Sequence, residues 1–106
     1  MNSNTVTHSF ESAYQTTNDP YCICFNDKIS SHKALPYSQL LGGELAQDTN
    51  AMTISFISMT VLIEGANLLQ IFTPLINRQL AGVSIGSNGE LKVTNITYSM
   101  ISENRN

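Results

Sequence analysis

The strongest constraint on the fold lies in residues 51–100, where three patterns of apolar residues follow one another along the chain. Apolar residues first alternate with polar ones, then recur at helical spacing, and then alternate again on both sides of a turn. These patterns predict a strand, an amphipathic helix and a β-hairpin. We therefore expect an α+β domain in which a small sheet of roughly three to five strands packs one face on one main helix, with β-α-β-β order in the C-terminal half.

The predicted strand over residues 52–63 changes phase halfway. Its apolar residues fall on two parities: Met52, Ile54 and Phe56 on one, and Ile57, Met59, Val61 and Ile63 on the other. A regular strand would turn its apolar face over at such a point. An extra, unpaired residue restores a single buried face, so we predict one strand with a bulge near residues 56–57.

A helix is predicted over residues 67–81. Asn67 and Gln70 have the spacing of a capping box, and Gly82 would supply the C-terminal stop. One stripe of the helix is apolar and should face the sheet: Leu68, Leu69, Phe72, Ile76 and Leu80, widened by Ile71 and Leu75. Pro74 interrupts the hydrogen bonding, but the polar residues keep their phase across it. This favours one kinked helix over a new start at Thr73.

The terminal hairpin is predicted to turn through Ser87, Asn88 and Gly89, with Gly89 in the left-handed conformation. This register places Val83 opposite Val93, and Ile85 opposite Leu91, so that apolar residues pair with apolar residues. The apolar parity changes once more after Val93, which predicts a second bulge near residues 94–95.

The N-terminal half carries weaker signals. Val6, Phe10, Ala13 and Tyr14 have the spacing of a short helix, and residues 21–25 alternate as a strand after the turn at Asn18, Asp19 and Pro20. Residues 28–50 have the least clear pattern in the chain. One or two helical turns are predicted over residues 36–41, stopped by Gly42 and Gly43, and a loop is predicted over residues 44–50. We expect residues 1–106 to form a single domain, with about residues 1–5 and 102–106 flexible.

Charge and hydropathy exclude several classes of function. The five Lys and Arg residues are scattered, so no basic patch indicates nucleic-acid binding. Residues 51–76 are long enough for a membrane span, but polar residues and Pro74 interrupt them, so we expect no membrane association. The N-terminus has neither a basic nor an apolar signal region, which makes a cytoplasmic location the expectation.

Metal-ligand types are present at a spacing that does not suit a metal. Cys22 and Cys24 lie two apart on a predicted strand, and His8 and His32 lie on weakly patterned flanks, whereas structural zinc sites space paired cysteines more widely. We therefore expect reduced cysteines, with no metal and no cofactor. A disulfide between neighbours on the same face of a strand is disfavoured by geometry.

No catalytic motif stands out, so the sequence leaves open whether the chain is an enzyme. The candidate catalytic residues are Glu64, His32 and Tyr98, of which Glu64 follows three apolar residues and could be partly buried. The candidate ligand-binding residues are Met59, Phe72 and Tyr98, which could line an adaptable apolar pocket.

The leading functional hypothesis is a non-catalytic protein-binding or assembly module that self-associates. One helix covers one face of a sheet, so the other apolar face of strand 52–63, or the terminal strand, would be covered by a second copy in a homodimer. Val6, Phe10 and Tyr14 folding back over the sheet would instead leave a monomer. The alternative is a small-molecule-binding protein or enzyme with a pocket between helix and sheet.

Overall fold

The computed structural model describes residues 13–100, and its described part is a sandwich of two β-sheets with one short helix. In chain order the strands are β1 (Tyr14–Thr16), β2 (Cys22–Asn26), β3 (His32–Pro36), β4 (Leu40–Leu45), β5 (Ala51–Phe56), β6 (Met59–Ala66), β7 (Leu80–Ser84), β8 (Gly86–Asn88) and β9 (Leu91–Met100). The helix α1 (Leu69–Ile76) lies between β6 and β7.

One sheet has four strands in the order β1-β7-β2-β3, and the other has five in the order β4-β5-β6-β9-β8. In the four-stranded sheet β7 runs parallel to β2, while the remaining pairs are antiparallel. The five-stranded sheet is antiparallel throughout. The inner faces of both sheets contribute to one apolar core, where the rings of Phe25 and Phe56 meet edge to face with centroids 6.2 Å apart.

The α+β prediction is therefore wrong. Strands make up 58% of the structure and helix only 12%, and the sheet face that the helix was expected to cover is covered by a second sheet. The predicted β-α-β unit does not exist either, because β6 and β7 belong to different sheets.

The predicted bulge near residues 56–57 is a hairpin turn. Ser55 pairs with Thr60 and Ala51 with Glu64, so β5 and β6 are adjacent antiparallel strands joined through Ile57 and Ser58. A two-residue turn moves the buried positions from even-numbered to odd-numbered residues, as a bulge would. A hairpin and a bulged strand therefore have the same pattern of apolar residues in the sequence.

The helix is shorter than predicted and faces the core with a different side. It runs through Pro74 as a single helix, as expected, but spans eight residues and has no side-chain cap. Leu68, Ile71 and Leu75 are buried, whereas Leu69 is 53% and Ile76 64% exposed. Asn67 does not cap the helix, because its side-chain amide donates instead to the Glu90 carbonyl at 2.8 Å.

The terminal hairpin has another register. Asn88 pairs with Leu91 and Gly86 with Val93, so the turn consists of Gly89 and Glu90. Gly89 adopts the predicted left-handed conformation, with φ of 69°. Val83 does not face Val93, because it lies in the other sheet beside Phe25, where it is buried on the opposite side of the same core.

Two other local predictions concern the bulge in β9 and the helical turn before β4. The bulge near residues 94–95 is confirmed, since Glu64 pairs with Asn95 and Gly65 with Val93, which leaves Thr94 as the extra residue. The helical turn over residues 36–41 is a 3-10 turn, Tyr37–Gln39, but Gly42 and Gly43 continue into β4. A side chain at Gly43 would collide with Leu75, whose Cδ2 lies 2.8 Å from the position of a Cβ atom.

The short N-terminal helix, the folding back of Val6 and Phe10, and the flexible ends fall wholly or mainly outside the described residues. Two residues of that helix pattern are described: Ala13 is buried, and Tyr14 begins β1.

We predict that Gly65→Ala destabilises the fold strongly. A Cβ atom at this bulge would lie 1.8 Å from the Lys92 carbonyl oxygen, a backbone atom that can move only by disrupting the β6–β9 pairing. The expected loss is at least about 2 kcal/mol, in the upper part of the range for overpacking. The measurement is the free energy of unfolding in urea.

Gly42→Ala is the matched control for this substitution. No atom lies within 4 Å of its Cβ position, so its expected effect is within about 0.5 kcal/mol. Equal stabilities of the two variants would contradict the β6–β9 register.

Candidate functional site

The two sides of the sandwich differ in how they are closed. On the β4 side, α1 packs against the sheet edge through Phe72 and Leu75 near Gly43. On the other side, β3 of the four-stranded sheet lies near β9 of the five-stranded sheet, and the ammonium nitrogen of Lys33 lies 5.0 Å from the centre of the Tyr98 ring. This second side has no helix over it among the described residues.

The outer side of β9 is unpaired over most of its length. β8 pairs only with Leu91, Lys92 and Val93, and no other strand of residues 13–100 pairs with the outer side of the rest. We call residues 95–100 of β9 the open edge. Because alternate residues of a strand direct their backbone groups to opposite sides, half of the open edge offers N–H and C=O groups away from β6.

Tyr98 lies at the centre of the open edge and has an unsatisfied hydroxyl. Its oxygen is inaccessible to solvent but has no hydrogen-bond partner among residues 13–100. Burial raises the pKa of Tyr98, and the negative charge of Asp27 raises it further. The Tyr98 hydroxyl therefore remains protonated and retains a free donor, which is unusual for a buried polar group.

Asp27 organises the loop between β2 and β3 that lies near Tyr98. One carboxylate oxygen accepts hydrogen bonds from the N–H groups of Ile29, Ser30 and Ser31, at 2.9, 2.9 and 3.2 Å. The other accepts from the Ser30 hydroxyl at 2.6 Å. These bonds, that of the Ser30 side chain foremost, hold the pKa of Asp27 well below its ordinary value. The loop is thus fixed in shape while it presents Ile29, which is 90% exposed.

Two of the predicted site residues come together at this side of the molecule. Tyr98 pairs across the strands with Val61, and Met59 pairs with Met100, so Met59 and Tyr98 lie near each other on the inner face. Met59 is buried, whereas Met100 at the end of the open edge is 71% exposed. The titratable groups near this pair are the Tyr98 hydroxyl, the Lys33 ammonium group and the Asp27 carboxylate.

The remaining candidates lie apart from that pair. Glu64 accepts a hydrogen bond from the Asn95 side-chain amide at 3.1 Å, near the other end of β6. Phe72 packs against Gly43 and is half buried. Within the described part of the chain, no hydrogen bond that could serve acid–base chemistry links Glu64, His32 and Tyr98.

His32 lies in a groove of about 260 Å³ that also includes Cys24 and Lys28. This groove is on the four-stranded sheet, where Cys24 pairs with Ala34 and His32 with Asn26. Both cysteines are free thiols. Across residues 13–100, no three side chains of His, Cys, Asp or Glu are grouped so that they could hold a metal ion.

The sequence did not single out Asp27, Lys33 or Ile29. A signal for Asp27 was present, because an aspartate followed by serines three and four residues later is typical of a turn in which the carboxylate accepts backbone N–H groups. Lys33 had no such signal, since its role depends on the contact between two strands that are distant in sequence.

Comparisons of the chain with protein-family models, with curated proteins and with solved structures give no match. Among residues 13–100, no helix has the length and apolar character that crossing a bilayer requires. The chemistry of the described residues is therefore the basis for assigning a function.

We predict that Asp27→Asn destabilises the protein in a pH-dependent way. The pKa of Asp27 is lower in the folded than in the unfolded chain, so its stabilisation is fully present above the ordinary value of 3.8 and is lost as the pH falls below it. The difference between wild type and Asp27→Asn in urea midpoint should be largest near neutral pH and should shrink below about pH 4.

Asp48→Asn is the control, because Asp48 accepts a single local hydrogen bond, from the Asn50 N–H at 2.9 Å. Its effect should be smaller at every pH. A difference for Asp27→Asn that stays constant between neutral and acidic pH would show that the Asp27 charge does not hold the loop.

Proposed function

We propose that this protein is a non-catalytic assembly module that forms a homodimer by pairing the open edge of β9 with that of a second copy. The observation that carries the proposal is a strand edge six residues long that has no strand partner among residues 13–100 and contains neither a charged residue nor a proline. Natural proteins usually protect exposed strand edges with lysine, proline, bulges or short length, because an unprotected edge pairs with other strands.

The other edges of the two sheets carry these protective features. β3 contains Lys33 and ends at Pro36, and β4 is packed by α1. β1 and β8 are three residues each. The contrast with β9 supports the open edge, rather than another strand, as the surface that accepts a partner.

A two-fold axis through the open edge would let β9 pair with its own copy in antiparallel orientation and extend the five-stranded sheet across both subunits. Side chains would add to the backbone hydrogen bonds, since Met100 and the turn residue Ile57 are exposed near the same end of the sheet. The Asp27 loop with Ile29 would widen the contact, and its fixed shape lowers the entropy lost on binding.

The sequence also suggested strand 52–63 as the dimer surface, because the helix would leave one of its apolar faces uncovered. The fold does not leave that face uncovered. The inner faces of β5 and β6 are covered by the four-stranded sheet of the same chain. The partner is proposed to be protein rather than nucleic acid, since the five basic residues are too few and too scattered to neutralise a phosphate backbone. The alternative function, with a pocket between helix and sheet, has less support, because Phe72 and Leu75 fill the space over Gly43.

We predict that wild-type protein sediments as a dimer at micromolar concentration and that Thr97→Lys shifts the equilibrium to monomer. Thr97 is an exposed residue in the middle of the open edge, so two lysines would face each other across the two-fold axis. We expect the dimer dissociation constant to rise at least about tenfold, equivalent to about 1.4 kcal/mol. Sedimentation equilibrium measures both states.

Thr16→Lys is the matched control. It makes the same chemical change at an exposed position of β1, which is the edge of the four-stranded sheet farthest from β3. Its dissociation constant should equal that of wild type. Wild-type protein with the mass of one chain at every concentration would refute the dimer, and equal effects of the two substitutions would refute the open edge as its interface.

A further inference from the structure

We propose that a groove beside the C-terminal end of α1 is a binding site for a neutral saccharide. The groove has a volume of about 240 Å³ and is lined by Asp19, Pro20, Tyr21, Tyr37, Ser38 and Arg78. It lies apart from the open edge of β9, and its ligand would be bound whether or not the protein dimerises.

The floor of the groove is fixed by hydrogen bonds of two tyrosines. The Tyr37 N–H donates to the Tyr21 carbonyl at 3.0 Å, which holds the two residues side by side. The buried Tyr37 hydroxyl donates to the Leu80 carbonyl at 2.7 Å. Burial raises the pKa of Tyr37, so this donor stays protonated and the ring keeps its position. The groove therefore has a rigid base.

The backbone of Arg78 has a conformation that glycine adopts at a lower free energy. It follows the last turn of α1 with φ of 59°, and its N–H donates to the Leu75 carbonyl at 3.1 Å, as in a left-handed helix end. Glycine is preferred there because a Cβ atom is strained in this conformation. The guanidinium carbon lies 5.0 Å from the centre of the Tyr37 ring. This geometry places the Arg78 side chain at the groove, where it packs on the Tyr37 ring.

The groups around the groove match the chemistry of a sugar ring. Tyr21 is 80% exposed and offers a flat apolar face on which the C–H face of a pyranose can stack. The Asp19 carboxylate can accept hydrogen bonds from ring hydroxyls, and the Arg78 guanidinium can donate to them.

The charges and the aromatic surface of the groove disfavour other ligands. Asp19 and Arg78 balance each other in charge, and no ion pair engages either of them within residues 13–100. A phosphorylated ligand would meet the Asp19 carboxylate. A proline-rich peptide needs more exposed aromatic surface than Tyr21 alone provides, because Tyr37 is buried.

The test is an NMR titration of the ¹⁵N-labelled full chain. The probes are methyl β-glucopyranoside, methyl β-galactopyranoside, methyl α-mannopyranoside and N-acetylglucosamine, each at millimolar concentration. At least one of these sugars should produce saturable shifts confined to the groove, including the amides of Tyr21, Ser38 and Arg78. Tyr21→Ala and Arg78→Gly should each weaken that binding at least about tenfold, whereas Tyr21→Phe should retain it.

Arg78→Gly separates binding from folding, because glycine relieves the strain and should leave the thermal midpoint equal or higher. Lys28→Gly is the matched control, since Lys28 is also basic, exposed and left-handed, with φ of 61°, but lies outside this groove. It should bind the sugar as wild type does. The proposal is overturned if no sugar shifts the groove amides, if Arg78→Gly binds unchanged, or if a proline-rich decapeptide shifts these amides in place of the sugars.

Discussion

The structure depends on the burial of two apolar sheet faces against each other. Phe25 from β2 and Phe56 from β5 meet edge to face in the middle of this contact, with centroids 6.2 Å apart. Because the chain supplies both layers, the apolar face of β5 and β6 needs no second subunit to cover it. The helix closes one side of the sandwich, and what remains open is the opposite side, where the outer side of β9 beyond Val93 has no strand partner among residues 13–100. The open edge is thus a consequence of how the core is closed.

The sequence predicted single elements better than their arrangement. The strand at residues 21–25 and the bulge beside Thr94 followed from local patterns of apolar residues, and both are present with small shifts of boundary. The turn at Ile57 and Ser58 was missed because Ile57 is not typical of a tight turn and no Gly, Pro, Asn or Asp lies beside Ser58. Gly43 was taken as a helix stop, but it lies in β4, where Leu75 Cδ2 approaches within 2.8 Å of the position of a Cβ atom. Such requirements arise from residues distant in sequence, so no local pattern reports them.

The same distinction applies to the functional surfaces. Tyr98 and Met59 were singled out as apolar pocket residues, and they do lie together, but at a sheet edge rather than in a pocket between helix and sheet. Lys33 reaches the Tyr98 ring only because the edges of the two sheets lie near each other. The left-handed conformation of Arg78 could not be foreseen, since arginine is not a residue that sequence patterns associate with a helix end of this kind.

Hydrogen–deuterium exchange, followed by mass spectrometry at several protein concentrations, tests most directly whether the open edge is the assembly surface. Amides of the open edge that point away from β6 have no strand partner within residues 13–100 of the same chain and would gain one in the dimer. Peptides covering residues 95–100 should become more protected as the concentration rises through the dissociation constant, while peptides from the central strand β5 stay unchanged. Exchange of residues 95–100 that is the same at all concentrations would contradict the account.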